Sequence, residues 1–177
     1  AAYSAILAIA PLLDEQAQNL DLLTQRRQLQ QQFVKVFADD TRAIAVVRQL
    51  MQQDFDNQAY PEALVWSRWL QDKVTENVQL LLSAKLVEAH SVFALQDYQA
   101  AETLYAELIE WLQQGPESEH KRIPALTDKL AASMYQQAEL KLAEQDTLGA
   151  VAVLSRILTV TPNSDIRRLA QYDMATH

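Results

Sequence analysis

Only two glycines, Gly115 and Gly149, stand among 177 residues, and this scarcity constrains the chain more than any other feature. Phosphate-cradling loops of the Walker or dinucleotide type need clustered glycines, and many-stranded folds need glycine-rich turns and β-branched strands. Both are excluded. The chain is built from helix formers instead: Ala and Leu occur 26 times each and Gln 21 times, all residues with high intrinsic helix propensity. Pro occurs five times, few enough to punctuate long helices without breaking them. The fold class expected is all-α.

The absence of Cys removes disulfides, thiolate metal sites and thiol nucleophiles. The net charge is −8 and the isoelectric point about 4.8. The densest basic runs are the pairs Arg26-Arg27, Lys121-Arg122 and Arg167-Arg168, too sparse for the basic stripe of a nucleic-acid binder. An acidic surface of this kind repels DNA and anionic lipid, so a nucleic-acid partner is not expected. The apolar run from Ala1 to Leu13 has no basic residues before it and is too short to span a bilayer, so direct membrane insertion by this segment is not expected. The chain starts without Met. The expectation drawn from this start is a processed product, leaning towards a bacterial periplasmic or membrane-anchored protein, with a cytoplasmic one left open.

Helix signals follow each other closely. A short apolar helix is expected from Ser4 to Ala10, closed or kinked by Pro11. One long helix is expected from Leu12 to Phe37, with Leu22, Leu29 and Val36 recurring at seven. Its apolar seam serves either a homodimeric coiled coil or a cap over the next hairpin. Asp39 and Asp40 suit the N-cap of a helix over 41–53, and Pro61 suits the first turn of a helix over 61–73. Thr75 is expected to cap a helix to Leu95, and a tight turn at Gln96-Asp97 leads into a helix over 98–113. The one long loop expected is Gln114 to Ile123. Pro124 then opens a helix to Ala143, a further helix over 147–161 ends before Pro162, and Ser164 caps a last helix over 165–175. Short connections make neighbours antiparallel, so the helices group into three hairpins: 41–53 with 61–73, 76–95 with 98–113, and 124–145 with 147–161. The organisation expected is one domain, with an N-terminal helical segment at 1–40, repeats at 41–162 and a capping helix at 163–177.

The hairpins share a pattern. Ala101 stands three residues after Tyr98 and four before Tyr105; Ala63 stands three after Tyr60; Ala150 is followed by Leu154 and Pro162. Ala89 and Ala138 lie twelve residues before Ala101 and Ala150. Helices approach closely where both contribute a small side chain and larger ones fill the flanks. In these residues the chain resembles the tetratricopeptide repeat family, over about residues 41 to 162. The family repeats every 34 residues, whereas these alanines lie 38 and 49 apart; Met51 and Ser67 replace a small residue and an aromatic in the first pair. The early Trp and Gly of the family's first helix are missing. Pro162-x-Ser164, with Ala170 and Tyr172, is similar to the joint between repeats in bacterial cell-envelope members. The resemblance implies a right-handed superhelical array and an adaptor role in envelope assembly.

Chemistry-bearing clusters are few. His90, His120 and His177 have no metal-ligand spacing. Asp54-x-Asp56-x-Gln58 matches the opening of a calcium loop, but Ala59 and Val65 stand where Gly and Glu are required. The acidic pairs Asp14-Glu15 and Asp39-Asp40 are read as helix starts, where the dipole favours them. None of the eight serines is flanked by Gly in a nucleophile elbow. No catalytic residue, metal or cofactor is expected. Trp66 and Trp69, near Tyr60, are either aromatic anchors for a partner or hairpin core. The function expected is a non-catalytic scaffold that binds a protein or peptide on the face formed by the first helices of the pairs, with Glu88, Ser91, Gln136, Gln137 and Lys141 as contacts. The alternatives are a self-assembly module or the helical regulatory part of a larger envelope enzyme.

Overall fold

The computed structural model describes residues 2–15, 19–161 and 165–176. Among them the protein is all-α: α1 (Ala2–Glu15), α2 (Leu20–Val36), α3 (Thr41–Asp56), α4 (Tyr60–Lys73), α5 (Val78–Ala94), α6 (Tyr98–Gln114), a 3₁₀ turn at Glu117–Arg122, α7 (Ile123–Ala143), α8 (Thr147–Val160) and α9 (Asp165–Thr176). No strand occurs among the described residues. Sequence neighbours pack on each other at α1–α2, α2–α3, α3–α4, α6–α7, α7–α8 and α8–α9, and α7 also packs on α9. The chain divides into two compact units, one ending at Val87 and one starting at Glu88, so α5 contributes to both.

In the first unit, α3 and α4 form a hairpin that buries Ala43, Val47, Leu50 and Met51 on one side and Ala63 and Leu70 on the other. Ile6 of α1, Phe33 and Val34 of α2, and Leu80, Ala84 and Val87 of α5 complete this core. Tyr3 anchors α1, its ring 5.4 Å from that of Phe33 and the Arg42 guanidinium 4.9 Å from its centre. In the second unit the interior is made by Tyr105, Leu108 and Leu112 of α6, Leu130 and Met134 of α7, and Leu154 and Ile157 of α8.

Several boundaries differ from the sequence expectation. Pro11 does not end the first helix, which runs on to Glu15. Pro11 is exposed, so water can meet the carbonyl one turn earlier that loses its donor, and the last turn closes its own hydrogen bonds. The expected single helix from Leu12 to Phe37 is two. Asn19, with extended backbone, accepts the N–H groups of Asp21 and Leu22 at 3.1 and 3.2 Å and starts α2 afresh. Asp14-Glu15 therefore closes α1 rather than opening a helix. Asn77, not Thr75, caps α5, accepting the Leu80 N–H at 3.0 Å. The expected loop from Gln114 to Ile123 is largely the 3₁₀ turn, in which Glu119 is buried and paired with Arg122 at 2.7 Å. Pro162 and Ser164, expected to stop α8 and cap α9, lie outside the described residues.

Candidate protein-interaction surface

The three hairpins turn in the same way. α3, α5 and α7 each end at a Gln with positive φ: Gln58 (60°), Gln96 (65°) and Gln145 (64°). At each, the Gln N–H bonds to the carbonyl three residues back, and the next N–H to the carbonyl five back. This pair of bonds is the Schellman arrangement, normally closed by glycine because a left-handed residue without a Cβ carries no steric penalty. Asp97 and Asp146 then cap α6 and α8 by accepting the N–H groups of Ala100 and Gly149; Ala59 stands in the same place before α4 without a side-chain cap. Five residues after each Gln comes a fully buried alanine, Ala63, Ala101 or Ala150, and twelve residues before that alanine a buried Met51, Ala89 or Ala138. Two close-packing points thus flank every turn. The recurring Gln-x-(Tyr/Thr)-x-x-Ala is a signal in the sequence, but an inconspicuous one, because glutamine is not a residue that ordinarily marks a left-handed turn position.

The sequence-predicted contacts fall in different surroundings. In the second unit Ser91 is fully buried, with no hydrogen-bond partner for its hydroxyl among the described residues. Glu88 is 9% exposed. Gln137 donates to Glu102 Oε2 at 2.6 Å and to the Tyr98 carbonyl at 3.2 Å, tying α7 to α6, while Arg156 of α8 holds the other Glu102 oxygen. Lys141, four residues on and on the same face, pairs with the capping Asp146 at 3.1 Å. That pairing and the Gly149 N–H hold the Asp146 carboxyl below its ordinary range, the N–H having the larger effect. Gln137 and Lys141 are therefore brought together, but they serve the hairpin. Gln136 is half-buried and lies on a different stripe, Asp128, Ala132, Gln136, Glu139 and Ala143, that runs along α7 at helical spacing and is exposed or half-exposed throughout.

The neighbouring polar groups are committed internally. Tyr135 donates to Asp173 of α9 at 2.7 Å, which raises the phenol to about 12. The His90 Nδ1 lies 2.6 Å from the hydroxyl of the fully buried Tyr105. Burial lowers the His90 pKa, the Lys129 charge lowers it further, and burial alone raises Tyr105 far above an ordinary phenol.

In the first unit Trp66 and Trp69 are half-buried against the core. The Trp66 indole donates to Asp54 Oδ2 at 2.9 Å, and Arg27 reaches the two oxygens of the same carboxylate at 2.5 and 3.0 Å. Asp54 is 2% exposed, and its hydrogen bond raises the Arg27 pKa. One buried carboxylate thereby joins α2, α3 and α4. Among the described residues no cluster of three or more His, Cys, Asp or Glu could hold a metal, and no helix is long and apolar enough to cross a membrane. Comparison with protein-family models, curated proteins and solved structures finds no significant match.

Proposed function

We propose that this chain is a non-catalytic helical-repeat scaffold that binds a protein or peptide partner, an adaptor whose setting, following the tetratricopeptide resemblance, is bacterial envelope assembly. The observation that supports it is the repetition of one hairpin, with its left-handed Gln and paired close-packing points, three times in one chain. A hairpin that uses part of its polar groups to hold itself together leaves its remaining polar face for a partner, the usual asset of repeat proteins. On α7 the stripe through Asp128, Gln136 and Glu139 is the face left over once Gln137 and Lys141 are spent on packing. The second unit has 13 acidic and 7 basic side chains, so a basic partner segment suits it. Affinity capture from lysate of the source organism, with the wild type and an Asp128→Lys, Glu139→Lys double variant of equal helicity, tests this. A protein retained by the wild type and lost with the variant fits the reading; equal retention by both overturns the stripe.

A self-assembly reading draws on α1, which has no charged residue from Ala2 to Leu12 and exposes Leu7 and Leu12 at 55% and 46%. Sedimentation at high concentration discriminates, because a strictly monomeric chain removes this alternative.

A further inference from the structure

The charges of the second unit are unevenly engaged. Of its seven basic side chains, four pair with carboxylates of the same unit. Arg167 donates to the Leu158 carbonyl, and the Lys129 ammonium stands 5.9 Å from the centre of the Phe93 ring on α5. Among the described residues Lys121 alone is left. Asp128 and Glu139 of α7, by contrast, are exposed and make no ion pair among the described residues. The negative charge of this face is therefore not compensated from within the unit, and the base next to it in sequence, Lys129, is turned to α5.

The placement of the two acids is regular. Asp128 and Glu139 stand eleven residues apart, three turns of α7, so they share one face at a separation of about 16 Å. The same stripe holds Ala132, Gln136 and Ala143, short enough at the alanines for a further helix to lie close. Along one edge Tyr135 donates to Asp173 of α9 at 2.7 Å. Leu169, one turn before Asp173 and on the same side of α9, is 50% exposed. Two uncompensated carboxylates at helical spacing, small residues beside them and an apolar border thus meet on one face.

Taking the α7 stripe as the partner face, as proposed above, we infer that it seats a basic amphipathic α-helix of the partner, with two bases eleven residues apart on Asp128 and Glu139 and an apolar residue against Leu169. A helix laid along α7 has the same rise and turn, so its side chains at that spacing repeat both the distance and the face. An extended segment covers the distance in about five residues, and residues five apart on it point to opposite sides. An acidic segment is repelled.

The test is an NMR titration of the full chain at about 20 mM salt, where surface charges are little screened, read at the backbone amides of Gln136 and Glu139. The probe is a capped helical peptide of about 18 residues, rich in Ala and Gln, with two lysines eleven residues apart and leucines between them on the same side. One control has the same composition with the lysines five apart, on different sides; the other carries glutamate in place of lysine. Saturable shifts with the matched helix are expected, and binding about threefold weaker for the mismatched isomer, which keeps one ion pair. The Asp128→Lys, Glu139→Lys double variant, altered at two exposed positions, is expected to bind the lysine helix about tenfold more weakly and to take the glutamate helix instead. Absence of a saturable shift, equal affinity for the two lysine isomers, or a double variant that keeps the lysine helix each overturns the inference. Capture of a protein through the stripe, together with no response to the lysine helix, leaves the partner face standing and overturns its basic helical occupant; equal capture by wild type and variant removes the face itself.

Discussion

At the residue scale, the left-handed glutamines are the clearest departure from what a helix hairpin ordinarily uses. A side chain at positive φ costs about 1 kcal/mol that glycine avoids, while glycine costs a little more entropy on folding. Gln96→Gly and Gln145→Gly are each expected to stabilise the chain by about 0.5 kcal/mol, read as a raised urea midpoint at unchanged slope; lowered midpoints would show that the Gln side chains hold contacts worth more than the strain. Asp54 lies at the opposite extreme. Asp54→Ala leaves Arg27 without its counter-charge and the Trp66 indole without its acceptor, and is expected to cost about 3 kcal/mol, with a changed Trp66 emission as the local sign. Titration acts in one direction at two groups. Asp40 accepts from the Arg42 side chain and backbone and is lowered to about 2, so its contribution is complete above the unfolded value of about 3.9 and is lost as the pH falls towards 2. His90, lowered by burial, is likewise stabilising above its unfolded value of about 6.5 and loses that contribution as the pH drops below it. Stability should therefore decline in two acid steps. Chemical denaturation across pH 7 to 5 of a His90→Gln variant should show the first step flattened; an unaltered slope would remove His90 from the account.

At the scale of the element, the packing points decide which changes are tolerated. Ala138 and Ala150 are fully buried, twelve residues apart across the third hairpin, in a crossing of α7 and α8. Ala150→Leu is expected to cost about 1–3 kcal/mol through overpacking, whereas Ala152→Leu, two residues on and exposed, should cost almost nothing; equal midpoints for the two variants would refute close approach at Ala150. Asn19→Ala should cost about 1 kcal/mol by removing the α2 cap. Much of this level was legible in the sequence. Pro61, Asp97, Pro124 and Asp146 mark helix starts whose chemistry is local, and the twelve-residue alanine spacing survives because it belongs to one hairpin. The rest was not. The recurrence of Leu22, Leu29 and Val36 lies wholly inside α2 and carries no information about the chain before Asn19, which starts that helix, and a solvent-facing Pro11 failed to stop a helix. The segment around Glu119 reads as a charged loop only until Arg122 is known to fold back on it. The contact residues were harder still. Gln137 and Lys141 are polar and helical, as partner contacts would be, but nothing in a single sequence tells a glutamine that faces solvent from one that reaches across to Glu102.

At the scale of the whole molecule, neighbour-to-neighbour packing makes stability local. In arrays where each hairpin touches only the next, a lesion is felt most by its own unit. Leu50→Ala, in the centre of the first core, should cost about 2–5 kcal/mol. Hydrogen exchange should show the loss concentrated in α2, α3 and α4, with α7 and α8 protected nearly as before; a uniform loss from α1 to α9 would mean that the two units unfold as one. The unequal spacing of the hairpins has the same origin. The 3₁₀ turn at Glu117–Arg122 and the longer α7 add their residues between packing points and leave the turns unchanged, so the distance from Ala101 to Ala150 grows while each hairpin keeps its own dimensions.

The Arg27–Asp54–Trp66 junction also has a mechanical consequence. It closes a span of 27 residues with side chains alone, so a chain drawn out by its ends cannot extend that span until a buried charge pair ruptures. The hidden length is roughly 90 Å of contour. Under tension the first unit should therefore yield in one abrupt lengthening rather than by peeling helix after helix, and a protein that links two loads would hold to a threshold force and then release.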